Sequence, residues 1–206
     1  MNAADELIPT RASLLERLKD LNDQEGWKAF FDTYWRLIYK AGRRAGLNDA
    51  EAQDAVQDTL MCVCKSMPTF EYDKGGSFKA WLLQLTTWRV VDQIRKRMRQ
   101  LELQDEQSRG SRKTDTVGKI PDPAAPLEAA WDQEWEDNII HVALERVKRK
   151  VDGKQYQIFA LHLMKGWPVA RISRALKINP GRVYLAKHRV SKLIQKEVMS
   201  LRKQTL

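Results

Sequence analysis

Apolar residues recur at helical spacing along most of the chain, and the pattern is sharpest in residues 166–198, where it predicts a helix-turn-helix. A short helix with one apolar face is followed by a turn at residues 177–179. Pro180 then opens a second helix with an apolar inner face and a basic outer face. Such a second helix fits the major groove of DNA. A solvated helical hairpin is the alternative, and it is disfavoured because residues 165–206 hold eleven basic residues and one acidic residue.

The net charge of +9 is unevenly placed along the sequence. Counting Lys and Arg against Asp and Glu, residues 77–100 carry +5, residues 101–140 carry −6 and residues 165–206 carry +10. Segregation of this kind favours a polyanion partner, because charge that served only solubility would be spread evenly. The sequence has no run of about 18 apolar residues and its first residues lack a secretion pattern, so we expect a cytoplasmic protein without a membrane span.

Four helices are predicted in residues 1–103, which makes this part of the chain a compact helical bundle. Asp23 and Ser77 precede apolar helical stripes in the way that capping residues do, and Asn48 followed by Glu51 resembles a capping box. The apolar stripe after Asp23 is expected to face the core. Its members are Trp27, Phe30, Phe31, Tyr34, Ile38 and Ala41.

Helical spacing fails in residues 104–127, where serine, glycine and proline interrupt polar sequence, and we expect a flexible linker there. The spacing resumes in residues 128–206, which we expect to form a second helical domain. The predicted fold class is therefore all-α, with two small helical domains joined by a linker. Trp131 and Trp135 lie at the start of the second domain, and packing against that domain is the simplest role for the pair.

The helix predicted after Ser77 changes from aromatic to basic along residues 77–100. Trp88 precedes Arg89, and an exposed aromatic ring beside basic residues is what single-stranded bases stack on. A core position fits the spacing of Trp88 equally well, so the sequence leaves its role open. A basic cluster at the end of this helix suits a phosphate backbone. It consists of Arg95, Lys96, Arg97 and Arg99.

The helix predicted at residues 49–60 has an acidic, amide-bearing face formed by Asp54, Gln57 and Asp58. Such a face suits docking to a basic protein partner, although carboxylates on a helix are usually just solvated. The histidines and cysteines lack metal-ligand spacing, and the sequence has no phosphate-binding loop or nucleophile motif. We therefore expect no enzymatic activity, no metal and no cofactor.

Taken together, these segments resemble a sigma factor of the sigma-70 family, in its small extracytoplasmic-function (ECF) group. DAVQDTL at residues 54–60 resembles the signature of region two. GSFKAWLLQLTTWRVVDQIRKR at residues 76–97 resembles the aromatic-to-basic helix of the same region. LHLMKGWPVARISRALKINPGRVYLAKHRVSKLI at residues 161–194 resembles region four. The order and spacing of the three segments make the resemblance specific.

The resemblance implies a transcription initiation factor with a role for each part. The face with Asp54, Gln57 and Asp58 would dock on the clamp helices of the RNA polymerase largest subunit. Region two would melt and hold the minus-ten element, and region four would read the minus-thirty-five element as duplex. The implied minus-ten contacts are Lys74, Lys79, Trp88, Arg89, Asp92, Arg95, Lys96, Arg97 and Arg99. The implied minus-thirty-five contacts are Arg171, Arg182, Tyr184, Leu185, Lys187, His188, Arg189 and Lys192.

An anti-sigma factor is a further partner that the resemblance allows, and a bacterial cytoplasm is the implied location. Trp88, Arg171 and Arg182 differ from the residues common at their positions in the family, so the promoter sequence does not carry over. The alternative hypothesis is a stand-alone helix-turn-helix regulator that binds duplex DNA without polymerase. A dimer with symmetric half-sites would support that alternative.

Overall fold

The computed structural model describes residues 11–70, 77–109 and 124–203, and these residues are all helical or in short connections, as predicted. The prediction of an all-α fold is confirmed. The helices, in chain order, are α1 (Arg11–Arg17), α2 (Gln24–Arg44), α3 (Asp49–Ser66), α4 (Phe78–Arg109), α5 (Ala124–Lys150), α6 (Gly153–Leu163), α7 (Val169–Leu176) and α8 (Pro180–Lys203). A single 3₁₀ turn, Met67–Thr69, follows α3.

Local capping explains why α2, α3 and α4 begin where they do. The side chain of Asp23 accepts a hydrogen bond from Gly26 N at 2.8 Å, which satisfies one free donor at the start of α2. Asn48 and Glu51 form the predicted capping box, with Glu51 N donating to Asn48 at 2.9 Å and Asn48 N donating to Glu51 at 2.8 Å. Ala80 N donates to Ser77 Oγ at 3.2 Å, so the predicted cap of α4 is also confirmed.

The described residues divide into two compact units, one that ends at Asn138 and one that begins at Ile139. The division falls within α5 rather than in the predicted linker, because the first half of α5 packs with the N-terminal helices. The predicted linker, residues 104–127, is helical at both ends, since α4 continues to Arg109 and α5 begins at Ala124. The rest of that stretch lies outside the described residues.

The core of the first unit forms where α2, α3 and α4 pack together. Phe30 of α2 and Phe78 of α4 are almost fully buried and meet edge to face, with ring centroids 6.2 Å apart. Ala52 and Val63 of α3 are fully buried in the same unit. One predicted core residue is placed wrongly by the sequence pattern, because Phe31 is 44% exposed.

The first half of α5 completes this unit with two tryptophans. Trp131 and Trp135 are each 2% exposed, and the ring of Trp135 lies 5.7 Å from that of Tyr34. The expectation that the pair packs against the second domain is therefore wrong. Burial of two such side chains contributes about 3–6 kcal/mol before the cost of ordering them, which explains why α5 begins in the first unit.

The second unit is built from the end of α5 and from α6, α7 and α8. Ile172 of α7 and Val183 of α8 are fully buried and pack with Ile158 of α6. A second cluster joins Val147, Phe159 and Val190 of α5, α6 and α8. The first cluster packs α7 against α8, the second packs α5 and α6 against α8, and the opposite side of α8 is left uncovered.

Candidate nucleic-acid and partner interfaces

A groove of about 1010 Å³ runs along α4 in the first unit. Trp88 lines it and is 51% exposed, so the interpretation of this residue as a core tryptophan is wrong. Trp81, one of the other wall residues, is held by ring contacts to Phe70 and Phe78 at 4.8 Å and 5.5 Å. The groove therefore combines a fixed aromatic wall with one aromatic side chain that solvent reaches.

Basic side chains of α4 surround this groove unevenly. Arg95, Lys96 and Arg99 are exposed, and Arg95 lines the groove. Arg89 pairs with Asp92 one helical turn away at 3.0 Å, and both line the groove. The guanidinium supplies hydrogen-bond donors and the carboxylate supplies acceptors, so the pair suits the edge of a base, which carries both.

Arg97 points into the bundle instead. Its guanidinium donates to Gly46 O at 3.1 Å and pairs with Glu51 at 3.0 Å, which ties α4 to the turn between α2 and α3. Because Glu51 is also part of the capping box of α3, Arg97 supports the start of that helix. The structure thus separates Arg97 from the other members of the predicted basic cluster.

Lys79 lies near the start of α4 and is held from two sides. Its ammonium is 2.7 Å from a carboxylate oxygen of Asp132 and 5.9 Å from the ring centroid of Trp135. Its backbone carbonyl accepts a hydrogen bond from Trp131 Nε1 at 3.3 Å. The predicted contact Lys74 lies outside the described residues.

The predicted partner-binding residues of α3 are not equivalent. Asp54 and Gln57 are exposed, whereas Asp58 is half-buried and accepts a hydrogen bond from Gln93 of α4 at 3.1 Å. Gln93 is itself buried, so the pair contributes to α3–α4 packing. Asp54 and Gln57 are consequently the members of the set that an incoming protein reaches directly.

Gln57 also lines an apolar groove of about 940 Å³ between α2 and α3, which the sequence analysis missed. Phe31 and Trp35 of α2 stack in parallel there, with centroids 6.0 Å apart, and Met61 of α3 is 49% exposed on the other side. Phe31 and Trp35 are spaced i, i+4, so they share one face of α2, and this face differs from the one that carries the buried Phe30. Their spacing is the sequence signal for a second apolar face.

Two titratable side chains, those of Tyr39 and Cys64, line the same groove, and neither indicates a catalytic site. Asp49 accepts a hydrogen bond from the Tyr39 hydroxyl, which raises the pKa of Tyr39. Burial raises the pKa of the Cys64 thiol, so this cysteine is a poor nucleophile. Within the described residues, no group of three or more His, Cys, Asp and Glu side chains could hold a metal ion.

The helix-turn-helix is present in the second unit as α7, a turn and α8. Lys177 takes the left-handed conformation at φ 52°, and Ser173 Oγ donates to Ile178 O at 2.6 Å, which closes the turn. Ile178 is partly buried against the α7–α8 core, as predicted. These contacts fix the start of α8 relative to α7.

The outward side of α8 carries the predicted duplex contacts. Arg182, Tyr184, Leu185, His188, Arg189 and Lys192 are all exposed, and Lys187 is half-buried. Leu185 is 72% exposed on this side. Arg171 of α7 stacks over the Trp167 ring at 4.0 Å, which orients its guanidinium.

Of the helices that the structure describes, none is long and apolar enough to span a membrane.

Comparison with known proteins gives a family match and several similar proteins. Residues 30–100, from α2 into α4, match the family model described as Sigma-70 region 2. A curated relative, the ECF RNA polymerase sigma factor SigE of Mycolicibacterium smegmatis (strain ATCC 700084 / mc(2)155), is 25% identical over 91 residues, which are 44% of this chain. The chain covers 34% of that relative's length.

A solved structure of an RsbN–BldN complex aligns over 88% of this chain and 97% of that chain, with 16% identity and a TM-score of 0.34. This TM-score is too low to indicate a shared overall fold.

Proposed function

We propose that the chain is an ECF-type transcription initiation factor of the sigma-70 family, since residues 30–100 match the family model described as Sigma-70 region 2. In this proposal it binds RNA polymerase core and directs promoter recognition and DNA opening, without catalysing a reaction itself. The observation that carries the proposal is that the matched residues include both the exposed face of α3 and the α4 groove with its half-exposed tryptophan.

The proposed polymerase interface is the exposed part of α3 together with the adjoining apolar groove. Gln57 belongs to both, which makes the polar face and the groove one continuous surface. Asp54 supplies an exposed negative charge beside it. An apolar centre with a charged rim is the usual composition of a protein interface, and the proposed occupant is the pair of clamp helices of the polymerase largest subunit.

The proposed minus-ten interface is the α4 groove. Trp88 offers a stacking surface for a base taken out of the duplex, and Arg95 lies in the same groove to meet a phosphate. Lys96 and Arg99, both exposed further along α4, extend the positive charge. Arg97 is left out of this set because its guanidinium is bound to Gly46 and Glu51.

The proposed minus-thirty-five interface is the outward side of α8, with Arg182 in its first turn. We keep the functional division in which residues 1–103 act as region two, residues 128–206 act as region four and residues 104–127 connect them. An anti-sigma factor and a bacterial cytoplasmic location belong to the same proposal.

The test is initiation by a reconstituted enzyme. Core polymerase with the full chain is given fragmented genomic DNA of the source organism, and the 5′ ends of the transcripts are sequenced. Starts preceded by two common sequence elements at fixed spacing are expected. No starts above those of core alone would refute the proposal. Sequence-specific duplex binding by a dimer of the chain, without polymerase, would instead support the stand-alone regulator.

A further inference from the structure

The first half of α5 brings acidic side chains to the start of the α4 groove. Asp132 pairs with Lys79 at 2.7 Å, and Glu128 lines the groove together with Trp88, Arg89 and Arg95. The segment 101–140 is the most acidic part of the sequence, and α4 carries a basic cluster at residues 95–99, just before this segment begins. Carboxylates thus lie where the proposed function needs a phosphate backbone.

These carboxylates do not hold α5 in place, since other contacts do. Trp131 and Trp135 are buried, and Asn138 Nδ2 donates to Thr33 O at 2.9 Å. Glu134, which is 3% exposed, pairs with Arg44 at 2.5 Å. Asp132, in contrast, has a side chain that is 85% exposed. An exposed ion pair contributes little to stability, so the Lys79–Asp132 pair is not explained as an anchor.

The pair does have a consequence for binding. Lys79 lies in sequence between Ser77 and Ala80, which line the start of the groove, and a phosphate that approaches Lys79 must displace the Asp132 carboxylate or accept its repulsion. Glu128 adds a second negative charge in the groove itself. Both effects are Coulombic and weaken the attraction between the groove and a polyanion. Because the helix is fixed by the buried tryptophans, the carboxylates remain close to the groove in the free chain.

We propose that Glu128 and Asp132 are a built-in competitor for nucleic-acid phosphate, which lowers the affinity of the free chain for single-stranded DNA at the α4 groove. The inference rests on the proposed function, because it takes that groove as the strand-binding surface. The inference adds that the chain itself restrains the binding of single strands. Single strands bind well only when the acidic segment is neutralised or moved.

The experiment compares two variants of the full chain that each lose one exposed carboxylate of α5. Asp132→Asn removes the partner of Lys79, and Asp137→Asn removes a carboxylate whose partner is Gln133 on its own helix. Affinity for a fluorescently labelled single strand of mixed sequence is measured by anisotropy at low and high salt. Asp132→Asn should tighten binding by about two- to fivefold at low salt, and less at high salt. Glu128→Gln should act in the same direction, and Asp137→Asn should have little effect.

A double-mutant cycle with Lys79→Met tests the route of the effect, because this substitution keeps the length of the side chain and removes its charge. If Asp132 acts by occupying Lys79, the gain from Asp132→Asn should be largely lost in the Lys79→Met background. Equal affinities of the Asp132→Asn and Asp137→Asn variants for single-stranded DNA would overturn the proposed competition. The proposal would also be overturned if the Asp132→Asn variant bound no single-stranded DNA. Binding of the same chain to core polymerase, measured in parallel, reports separately on the proposed function.

Discussion

At the scale of single residues, Trp88 is the most important side chain of the proposed strand-binding groove. Its indole is half-exposed in a groove whose other aromatic residue, Trp81, is fixed by neighbouring rings. The exposed part of this ring is available for contact with a partner. Stacking with an unpaired base is the role that the surrounding arginines favour.

Substitution of Trp88 by alanine should weaken binding of single-stranded DNA by about 1–3 kcal/mol, the usual contribution of one base–aromatic stack. The fold should change little, because half of the side chain is already exposed. Fluorescence anisotropy gives the affinity and circular dichroism gives the helicity. Trp88→Phe should retain part of the affinity, and Leu101→Ala, which removes an exposed apolar side chain from the same helix, serves as the control. Equal losses for Trp88→Ala and Leu101→Ala would contradict the stacking role.

Asp23 gives a pH dependence whose sign follows from its contacts. The Arg17 guanidinium and the Gly26 N–H both stabilise its charged form, which lowers the pKa of Asp23 from 3.8 to about 2. The folded state therefore binds this proton more weakly than the unfolded state. The stabilisation is present above pH 3.8 and is lost as the pH falls towards 2.

Asp23→Asn keeps a capping oxygen and removes the charge, so stability should depend less on pH over this interval than in the unchanged chain. Thermal unfolding recorded at several pH values between about 2 and about 5 measures the difference. Asp137→Asn, on an exposed helix face, should leave the dependence unaltered. An identical pH profile for Asp23→Asn and the unchanged chain would rule out the lowered pKa.

At the scale of helices, α8 combines two tasks on opposite sides. Val183, Ala186 and Val190 are buried against α6 and α7, and the polar side with its exposed Leu185 is open. The turn before α8 is fixed by Lys177 and Ser173, so the first turn of α8 has a defined position. Side chains of that first turn reach base edges when such a helix enters the major groove.

This placement predicts that residues in the first turn of α8 read the base sequence, whereas residues further along the helix contact only phosphates. Arg182→Ala should cost about 1–3 kcal/mol on the cognate duplex and flatten the preference at one base position. Lys192→Ala, further along the helix, should weaken all sequences about equally and reduce the salt slope by about one unit. Both side chains are exposed, so neither change should unfold the domain. A competition assay over a randomised element compares the variants. An altered preference for Lys192→Ala alone would show that α8 is placed wrongly in the groove.

The helices differ in how far the sequence predicts them, and the difference is physical. The starts of α2, α3 and α4 are encoded locally, because Asp23, Asn48 and Ser77 each cap their own helix within three residues. Features that depend on distant contacts were missed. Phe31 is exposed because the bundle buries the other side of α2. The spacing of apolar residues alone does not predict which side of the helix is buried.

The role of the α5 tryptophans was missed for the same reason. Trp131 meets Lys79 of α4 and Trp135 meets Tyr34 of α2, and both contacts join residues far apart in sequence. The open question at Trp88 had this cause too, because a residue two turns after Trp81 fits either a core or a surface position. The helix-turn-helix was predictable almost completely, since its turn and its packed face lie within one short segment.

At the scale of the whole molecule, the account assigns one partner to each exposed surface. In the proposed function, polymerase would bind the α3 face with the α2–α3 groove, the opened strand would bind the α4 groove, and duplex DNA would bind α8. The distribution of charge along the chain agrees with this assignment, since the two nucleic-acid segments carry +5 and +10. Polymerase binding is the central claim, because a stand-alone regulator would lack it.

A titration of the labelled full chain with core RNA polymerase tests that claim most directly. The account predicts saturable binding of one chain per core enzyme. Reversal of the exposed charge in Asp54→Lys should weaken binding by at least about tenfold, because a like charge at an interface is strongly unfavourable. Asp137→Lys, an equal charge reversal on an exposed position of α5, should leave the affinity unchanged. Equal effects of the two reversals would move the docking surface away from α3. No binding of the unchanged chain to core polymerase would contradict the account itself.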